Sequence, residues 1–393
     1  MSGRKTVPLN ALDLGFDPAF FKRITEVLRA DVAAERYDGC VLLVARRGQI
    51  AFHEAVGFSD RAARRTLATD GVFFSMSIAK QLTNAMVMMR VENGEIGLHT
   101  PVADVIPAFG CKGKQHVTVG DLIIHKAGLP LGLPMMPPEA IGNIDAMTEV
   151  ACGLLPEGVP GARVNYSALM AHSVLAVICR TLDGSSRTYR QMMAEDLFAP
   201  LGMRDTALGG RKDLAKRAAP VVVRDRRPDM FDSAILEGTG AMLTEDFELP
   251  AGGCLTTTRD FFRFAECMRR GGELDGERIL SPSTISLMTS NQTGDMPNGL
   301  WDYARAEHGW PVFPASLGYG FFLRGHGAWY PSPFGLAASP GTFGGFGAGS
   351  NCFWVDPQRE LVCVYLSTGL MPETRSTLRH QRIADLVLAS VVD

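Results

Sequence analysis

The chain has 393 residues, of which 46% are hydrophobic and 21% are charged, and its formal net charge is −3. This composition is typical of a globular protein that is long enough for a large core or two lobes. Because the chain is nearly neutral for its length, its overall electrostatics favour neither nucleic acid nor an anionic membrane as a partner. The balance fits a small, neutral substrate, and the oligomeric state stays open.

The first ten residues lack the apolar core and cleavage site of a secretory signal. No uninterrupted run in the sequence approaches about 18 apolar residues, so we expect a cytoplasmic protein. The 8 cysteines include no Cys-x-x-Cys pair, and the 8 histidines form no His-Glu-x-x-His motif. In a reducing compartment these cysteines are expected to be small core residues, and we expect neither a metal nor another cofactor.

The predicted elements place strands at both ends of the chain and helices between them. At the ends we predict a helix that starts at Asp17-Pro18, a β-hairpin of 39–46 and 50–56 with a turn at 47–49, strands at 351–355 and 361–366, and a last helix over 377–391. The interior is mostly helical in pattern. Residues 1–74 and 236–393 are therefore expected to form one α/β lobe, into which residues 75–235 insert a mostly helical lobe.

Ser77 and Lys80 stand at the front of a strongly helical stretch. Positions i and i+3 lie on one face of a helix, so the Lys80 amine can reach the Ser77 hydroxyl and accept its proton. A partly desolvated lysine can lose its proton well below its reference pKa of about 10.4. The tetrad therefore predicts a nucleophile with its base attached, although a capping serine and a solvated lysine have the same spacing.

Further motifs follow this tetrad in chain order: 117–130, Val164 to Ala168, Phe198 to Thr206, Pro250 to Asp260, and Gly345 to Gly347 followed by Phe353 to Pro357. Together they resemble the penicillin-binding protein and serine β-lactamase superfamily, closest to its class C-like branch with the family VIII carboxylesterases. The resemblance covers nearly the whole chain from about residue 20. It implies a β-lactamase-like fold, which is an antiparallel sheet flanked by helices with an inserted helical lobe, and an active site between the lobes.

The resemblance also implies roles for the motif residues. Tyr166 would shuttle a proton between Ser77 and the leaving group or water, with its phenol pKa lowered by a nearby ammonium. The Ala348 amide would lie opposite the Ser77 amide and form a two-donor oxyanion hole. The substrate-binding candidates are three strand residues and a histidine between two glycines: Gly345, Phe346, Gly347 and His326.

Two positions depart from the lactam-processing members of the superfamily. Ala168 stands where many of them have an asparagine that helps to hold the lysine and the substrate amide. Gly345 stands where a cationic or hydrogen-bonding side chain grips the substrate carboxylate. Both losses weaken the expected recognition of penicillins and of D-alanyl peptides.

Other positions leave alternatives open. His125, in a loop that resembles the family's, is expected to be structural. Segments 128–140 and 295–341 form either cleft walls or surface loops, and the second carries Trp301, Tyr303, Trp310, Tyr319, Trp329 and Tyr330. The leading hypothesis is a serine hydrolase that cleaves a small neutral ester through an acyl-enzyme. The alternatives are an acyltransferase, a β-lactamase or D-amino-acid amidase or peptidase, and a penicillin-binding sensor without turnover.

Overall fold

Twelve strands in the described residues form three antiparallel sheets. The computed structural model describes residues 11–241, 243–327 and 330–393. The strands are β1 Gly39–Arg46, β2 Gln49–Asp60, β3 Arg65–Thr66, β4 Phe73–Phe74, β5 Ala207–Leu208, β6 Cys254–Thr256, β7 Glu273–Leu274, β8 Glu277–Arg278, β9 Phe322–Leu323, β10 Phe343–Gly347, β11 Asn351–Asp356 and β12 Leu361–Thr368. The main sheet has seven strands in the order β3-β2-β1-β12-β11-β10-β9, while β4-β6-β5 and β7-β8 form two small sheets.

Both ends of the chain contribute to the main sheet. The hairpin of β1 and β2 pairs with the last strand through β1, in a register that runs from Gly39 opposite Thr368 to Arg46 opposite Leu361. All eight residues of β1 are buried, which fits a run of valine and leucine in a strand covered on both faces. The predicted hairpin, the two C-terminal strands and the antiparallel sheet flanked by helices are confirmed.

Thirteen α-helices are described: α1 Pro18–Ala33, α2 Ala79–Glu92, α3 Val102–Val105, α4 Val119–Ile123, α5 Ile144–Gly153, α6 Met170–Asp183, α7 Tyr189–Met192, α8 Lys212–Ala215, α9 Ser233–Ala241, α10 Thr258–Arg269, α11 Pro282–Met288, α12 Asp302–His308 and α13 Glu373–Ala389. Asp17 caps α1 by accepting from the Ala19 amide at 2.9 Å, as predicted. None of these helices has the length and apolarity needed to traverse a lipid bilayer.

Alternate residues of β1 face two hydrophobic cores, as the two-residue period of a strand requires. Leu42 and Val44 pack with residues of α1 and α13. Val41 and Leu43 pack with residues of α10 and with the α2 helix that follows Ser77. The sheet is therefore covered on both faces, and α2 is anchored in the second core.

The last helix begins four residues earlier than the sequence predicts, at Glu373 rather than Thr377. Pro372 precedes it, and the Asp229 carboxylate accepts from the Thr374 amide at 3.0 Å. This cap comes from a remote segment, so the local pattern could not indicate it.

The cysteine prediction was wrong at one position. Seven of the eight cysteines are buried, but Cys111 is exposed, and its thiol donates to the Cys152 carbonyl at 3.1 Å. The lobe boundaries at 74/75 and 235/236 stay a prediction, as does the cytoplasmic location. Trp329 lies outside the described residues.

Candidate active site

Ser77 lies at the junction between β4 and α2, in a short 3₁₀ turn of Met76–Ile78. Met76 has a φ of 49°, in the left-handed region that is costly for a non-glycine residue. Buried hydrogen bonds hold the approach to this turn: the Ser75 hydroxyl donates to the Gly252 carbonyl at 2.8 Å. The Asn351 amide donates to the Ser75 carbonyl at 3.1 Å. The serine is therefore fixed against the edge of the main sheet, with its side chain partly exposed.

The Lys80 amine contacts three oxygen atoms. Its Nζ lies 3.1 Å from Ser77 Oγ, 2.7 Å from the Ala168 carbonyl and 2.9 Å from the Ala251 carbonyl. Among the described residues, no carboxylate pairs with it. Because the side chain is buried and the charged form is poorly solvated there, the pKa of Lys80 falls from 10.5 to about 7.

Tyr166 is buried beside this pair. The Ser77 side chain is near enough to its hydroxyl to favour a lower phenol pKa, and Lys80 Nζ lies 5.0 Å from the centre of its ring. The expectation of a lowered phenol pKa is wrong. Burial raises the pKa of Tyr166 well above its ordinary value and outweighs the lowering effect of Ser77, so this residue is a neutral phenol at neutral pH.

The Gly347 backbone approaches the serine turn so closely that a side chain would not fit. A Cβ atom at this position would lie 2.7 Å from Met76 Cβ and 3.1 Å from the Ser77 amide nitrogen. Ala348, the next residue along the chain, is thereby brought to the serine turn. The structure thus brings together the two backbone segments that the sequence predicts for an oxyanion hole, and their role stays a prediction.

Gly345 faces a side chain that the sequence analysis did not single out. A Cβ atom at Gly345 would lie 2.4 Å from Gln81 Oε1. Gln81 is 3% exposed, and its Oε1 has no hydrogen-bond partner in the described residues. The spacing of four residues from Ser77 was the available signal, because i and i+4 share one helix face.

Phe346 points to the opposite side of β10 from Gly345 and belongs to an aromatic cluster. Its ring centre lies 4.6 Å from that of Phe322 and 5.9 Å from that of Trp301. Phe322 in turn lies 6.2 Å from the ring of Tyr166. Half-buried Phe322 therefore joins β10 to the group of Ser77, Lys80 and Tyr166, which we name the Ser77 cluster. No local sequence pattern could have indicated this contact.

A buried glutamate stands behind the predicted oxyanion hole and was also missed. The Glu373 carboxyl accepts from the Gly349 amide at 2.7 Å, one residue beyond Ala348. Burial raises the pKa of Glu373 to about 8, so its carboxyl is largely protonated at neutral pH. It braces the turn that presents Ala348.

The two histidines singled out in the sequence differ in burial and in their contacts with the site. His125 is buried with its ring centre 4.4 Å from that of Tyr166, and its Nδ1 accepts from the Ser167 amide at 3.2 Å. Burial lowers the pKa of His125 to about 3, which fits the expected structural role. His326 is exposed after β9, and in the described part of the chain no hydrogen bond or ring contact joins it to the Ser77 cluster.

The two candidate cleft-wall segments contain both loops and regular elements. Residues 128–140 are mostly loop, and the Met135 side chain is fully exposed. Residues 295–341 carry α12 and β9. Within this second segment Trp301 is buried against Phe346, whereas Tyr303 is exposed. This second segment thus both packs onto the core and lies next to the candidate site.

The chain is similar to proteins of one family along most of its length. The Beta-lactamase family profile matches residues 24–388. "Esterase/beta-lactamase LipL" of Mycobacterium tuberculosis (strain ATCC 25618 / H37Rv) is 27% identical over 330 residues, which are 77% of this chain and 76% of that protein.

Solved structures also share the fold, and two of them serve as examples. A penicillin-binding protein homologue from Caulobacter crescentus superposes with a TM-score of 0.76 at 23% identity, over 96% of this chain and 99% of that one. A family VIII carboxylesterase superposes with a TM-score of 0.74 at 20% identity, over 93% and 97% of the two chains. At these identities the likeness establishes the architecture, and the chemistry has to be argued from the site itself.

Proposed function

Because the chain belongs to the beta-lactamase family and is a serine hydrolase, we propose that it cleaves small neutral esters through an acyl-enzyme on Ser77. The observation that carries this proposal is the 3.1 Å contact between Lys80 Nζ and Ser77 Oγ. It occurs where burial lowers the lysine pKa to about 7. A large fraction of the lysine is then neutral at physiological pH and can accept the serine proton.

Acylation begins when Ser77 Oγ attacks the ester carbonyl and its proton moves to neutral Lys80. The Ser77 and Ala348 amides hold the oxyanion of the tetrahedral intermediate. As the carbon–oxygen bond breaks, the Tyr166 hydroxyl donates its proton to the leaving alkoxide and recovers one from the Lys80 ammonium. The raised pKa of Tyr166 supports this role as a neutral donor rather than a tyrosinate base.

Deacylation repeats these transfers with water as the nucleophile. Water attacks the acyl carbonyl while the Tyr166 hydroxyl takes a proton from it and passes its own proton to neutral Lys80. Ser77 Oγ then leaves and takes this proton back from the Lys80 ammonium. An alcohol or amine in place of water gives acyl transfer. Product analysis with and without an added alcohol separates the two outcomes, and we expect free acid as the main product.

The selectivity for neutral substrates rests on position 345. The buried Gln81 amide occupies the space next to Gly345, so no cationic side chain meets a substrate carboxylate there. The lost charge-assisted hydrogen bonds are worth roughly 1.5–3 kcal/mol, or about one to two decades in specificity. Apolar Phe322 and Phe346 suit an uncharged acyl group, and a neutral ester loses nothing.

The nucleophile is tested by Ser77→Ala with p-nitrophenyl acetate. Turnover is expected to fall by at least about 10³, since the covalent nucleophile is removed, and intact mass spectrometry should no longer detect an acyl adduct. Ser283→Ala, an exposed serine in α11, is the matched control and should behave as wild type. If Ser77→Ala kept more than about a tenth of wild-type turnover, another nucleophile would be required.

Substrate class is tested by comparing a short neutral aryl ester with nitrocefin and a penicillin on the same enzyme preparation. We expect kcat/KM for the ester to be higher by a factor of at least about 100. Penicillin turnover comparable with that of the best ester would return the protein to the lactam-cleaving members of its family.

A further inference from the structure

A second concave site, apart from the Ser77 cluster, lies between α1, α13 and residues 224–228. Its volume is about 1120 Å³, and seven arginines line it against only three carboxylates. We name it the arginine cavity. Since the whole chain carries a net charge of −3, this concentration of positive charge is a local feature and not a result of general basicity.

Two of these arginines share a single carboxylate. Arg36 lies 2.8 Å from Asp31, and Arg382 is hydrogen-bonded to the other oxygen of the same side chain. Asp31 is buried, with 4% of its side chain exposed, whereas Arg382 is 42% exposed. One positive charge of this group of three is therefore uncompensated and accessible.

Two more arginines have no carboxylate partner within ion-pair distance among the residues that the structure describes. Arg375 is exposed in the first turn of α13. Arg379, one turn further on, is 6% exposed and lies 4.7 Å from the ring centre of Tyr37. Its Nε and Nη1 have no hydrogen-bond partner in the described residues. A buried cation without a counter-charge makes the wall of the cavity more attractive to an anion.

The remaining three arginines are each paired. Arg224 lies 2.7 Å from Asp38, Arg226 lies 2.6 Å from Glu237, and Arg227 pairs with Asp225. Their ion pairs leave the excess charge on Arg375, Arg379 and the group around Asp31, which all lie on α13 or beside it.

Flat rings lie in the same wall as this charge. Trp310 and His308 line the cavity, with their ring centres 5.7 Å apart. The indole is supported from behind by Trp301 at 5.8 Å. A half-buried indole held in this way offers a stacking surface for an aromatic ring.

We propose that the arginine cavity binds a small molecule that carries phosphate groups and a flat ring, such as a nucleoside diphosphate or triphosphate. Guanidinium groups form bidentate hydrogen bonds with phosphate oxygens, and the first turn of α13 adds the positive end of a helix dipole. The charges converge on a concave space whose size is close to that of known ligand pockets. An acidic peptide would be better matched by a long stripe of charge.

Titration calorimetry on the full chain, with ATP, pyrophosphate and adenosine as probes, tests the proposal. We expect pyrophosphate to bind, ATP to bind at least about tenfold more tightly through added stacking, and adenosine to give no measurable heat. Binding of ATP should weaken as ionic strength rises, because salt screens the exposed charges. Ser77→Ala should bind ATP as wild type does, since the two sites are separate.

Variants locate the site. Arg375→Gln and Arg382→Gln are both exposed changes, and each is expected to weaken ATP binding by at least about fivefold. Arg23→Gln, an exposed arginine of α1 outside the cavity, should leave ATP binding unchanged. Trp310→Leu should weaken binding of ATP and spare that of pyrophosphate.

The proposal is overturned if ATP and pyrophosphate give no heat, or if Arg23→Gln weakens binding as much as the cavity variants do. It is equally overturned if ATP binds no more tightly than pyrophosphate, or if a glutamate peptide binds more tightly than ATP. Loss of ATP binding in Ser77→Ala would place the nucleotide in the catalytic cleft instead and also refute it.

Discussion

The pH dependence of ester cleavage tests the role of Lys80 most directly. Lys80 has to be neutral to accept the Ser77 proton, and burial lowers its pKa from 10.5 to about 7. At pH 7 about half of the molecules then hold the neutral amine, against about one in 3000 for a lysine with its ordinary pKa. We therefore expect kcat/KM to rise about tenfold per pH unit below about pH 7 and to level off above it.

The same shift has a consequence for stability. Between about pH 7 and about 10.5 the unfolded chain keeps the lysine proton while the folded chain has lost it, so stability rises with pH in this window. Burial of the charged Lys80 amine destabilises the fold. This destabilisation is fully present below pH 7, where it amounts to about 5 kcal/mol at most, and it is gone above the pKa of the unfolded chain. Because Lys80→Met abolishes the titration, the free energy of unfolding of wild type relative to this variant should increase by up to about 1.4 kcal/mol per pH unit.

The assay measures p-nitrophenyl acetate cleavage at the isosbestic wavelength of the product over a range of pH, alongside urea unfolding of the same samples. Lys114→Met is the matched control, because Lys114 is a second buried lysine whose Nζ donates to the Leu154 carbonyl at 2.6 Å. This variant should leave unchanged the pH at which kcat/KM levels off. The assignment of the base would be refuted if kcat/KM levelled off two or more pH units above pH 7. It would also be refuted if Lys114→Met changed the pH dependence of kcat/KM.

Substitutions at three further positions have distinct expected outcomes. Tyr166→Phe should lower kcat by about 10² to 10⁴ while the melting temperature changes little, and unaltered turnover would make this phenol purely structural. Glu373→Gln keeps an acceptor for the Gly349 amide and removes a carboxyl whose pKa is raised to about 8. It should preserve kcat, and its melting temperature should exceed that of wild type increasingly between about pH 5 and 8, because the wild-type fold loses stability as the unfolded glutamate ionises first. Glu373→Leu should lower kcat more than it changes KM; equal activity in both variants would exclude a positioning role. Gly345→Lys places a side chain against Gln81 and should not raise ester kcat/KM, and a clear gain would contradict the proposed preference for neutral substrates.

The sheet and its flanking helices were largely predictable, because their signals are local. The valine-rich and leucine-rich run of β1 and the turn at Gly48 predicted the hairpin, and Asp17-Pro18 predicted the start of α1. The start of α13 was missed, since its cap is the carboxylate of Asp229. A residue so distant in sequence leaves no trace in the pattern around Glu373.

Of the candidate site, only the contact between Ser77 and Lys80 had a local signal in the sequence. Ser77 and Lys80 meet because helix geometry places positions i and i+3 together, and the observed 3.1 Å contact agrees with that. Gln81 shares this face for the same reason, yet only the approach of β10 reveals that it fills the space beside Gly345. The contact of Phe322 with Tyr166 joins segments more than a hundred residues apart and could not be anticipated.

The sequence by itself determined which two side chains can meet at the proposed nucleophile, because helix geometry places Ser77 and Lys80 on one face. Tertiary structure alone decided the protonation states of Lys80 and Tyr166. Burial lowers the pKa of Lys80 and raises that of Tyr166, against the expectation of an acidified phenol, because desolvation depends on what all the distant segments pack around a group. The arginine cavity has the same origin: its charges come from three separate parts of a nearly neutral chain, and only folding brings them together.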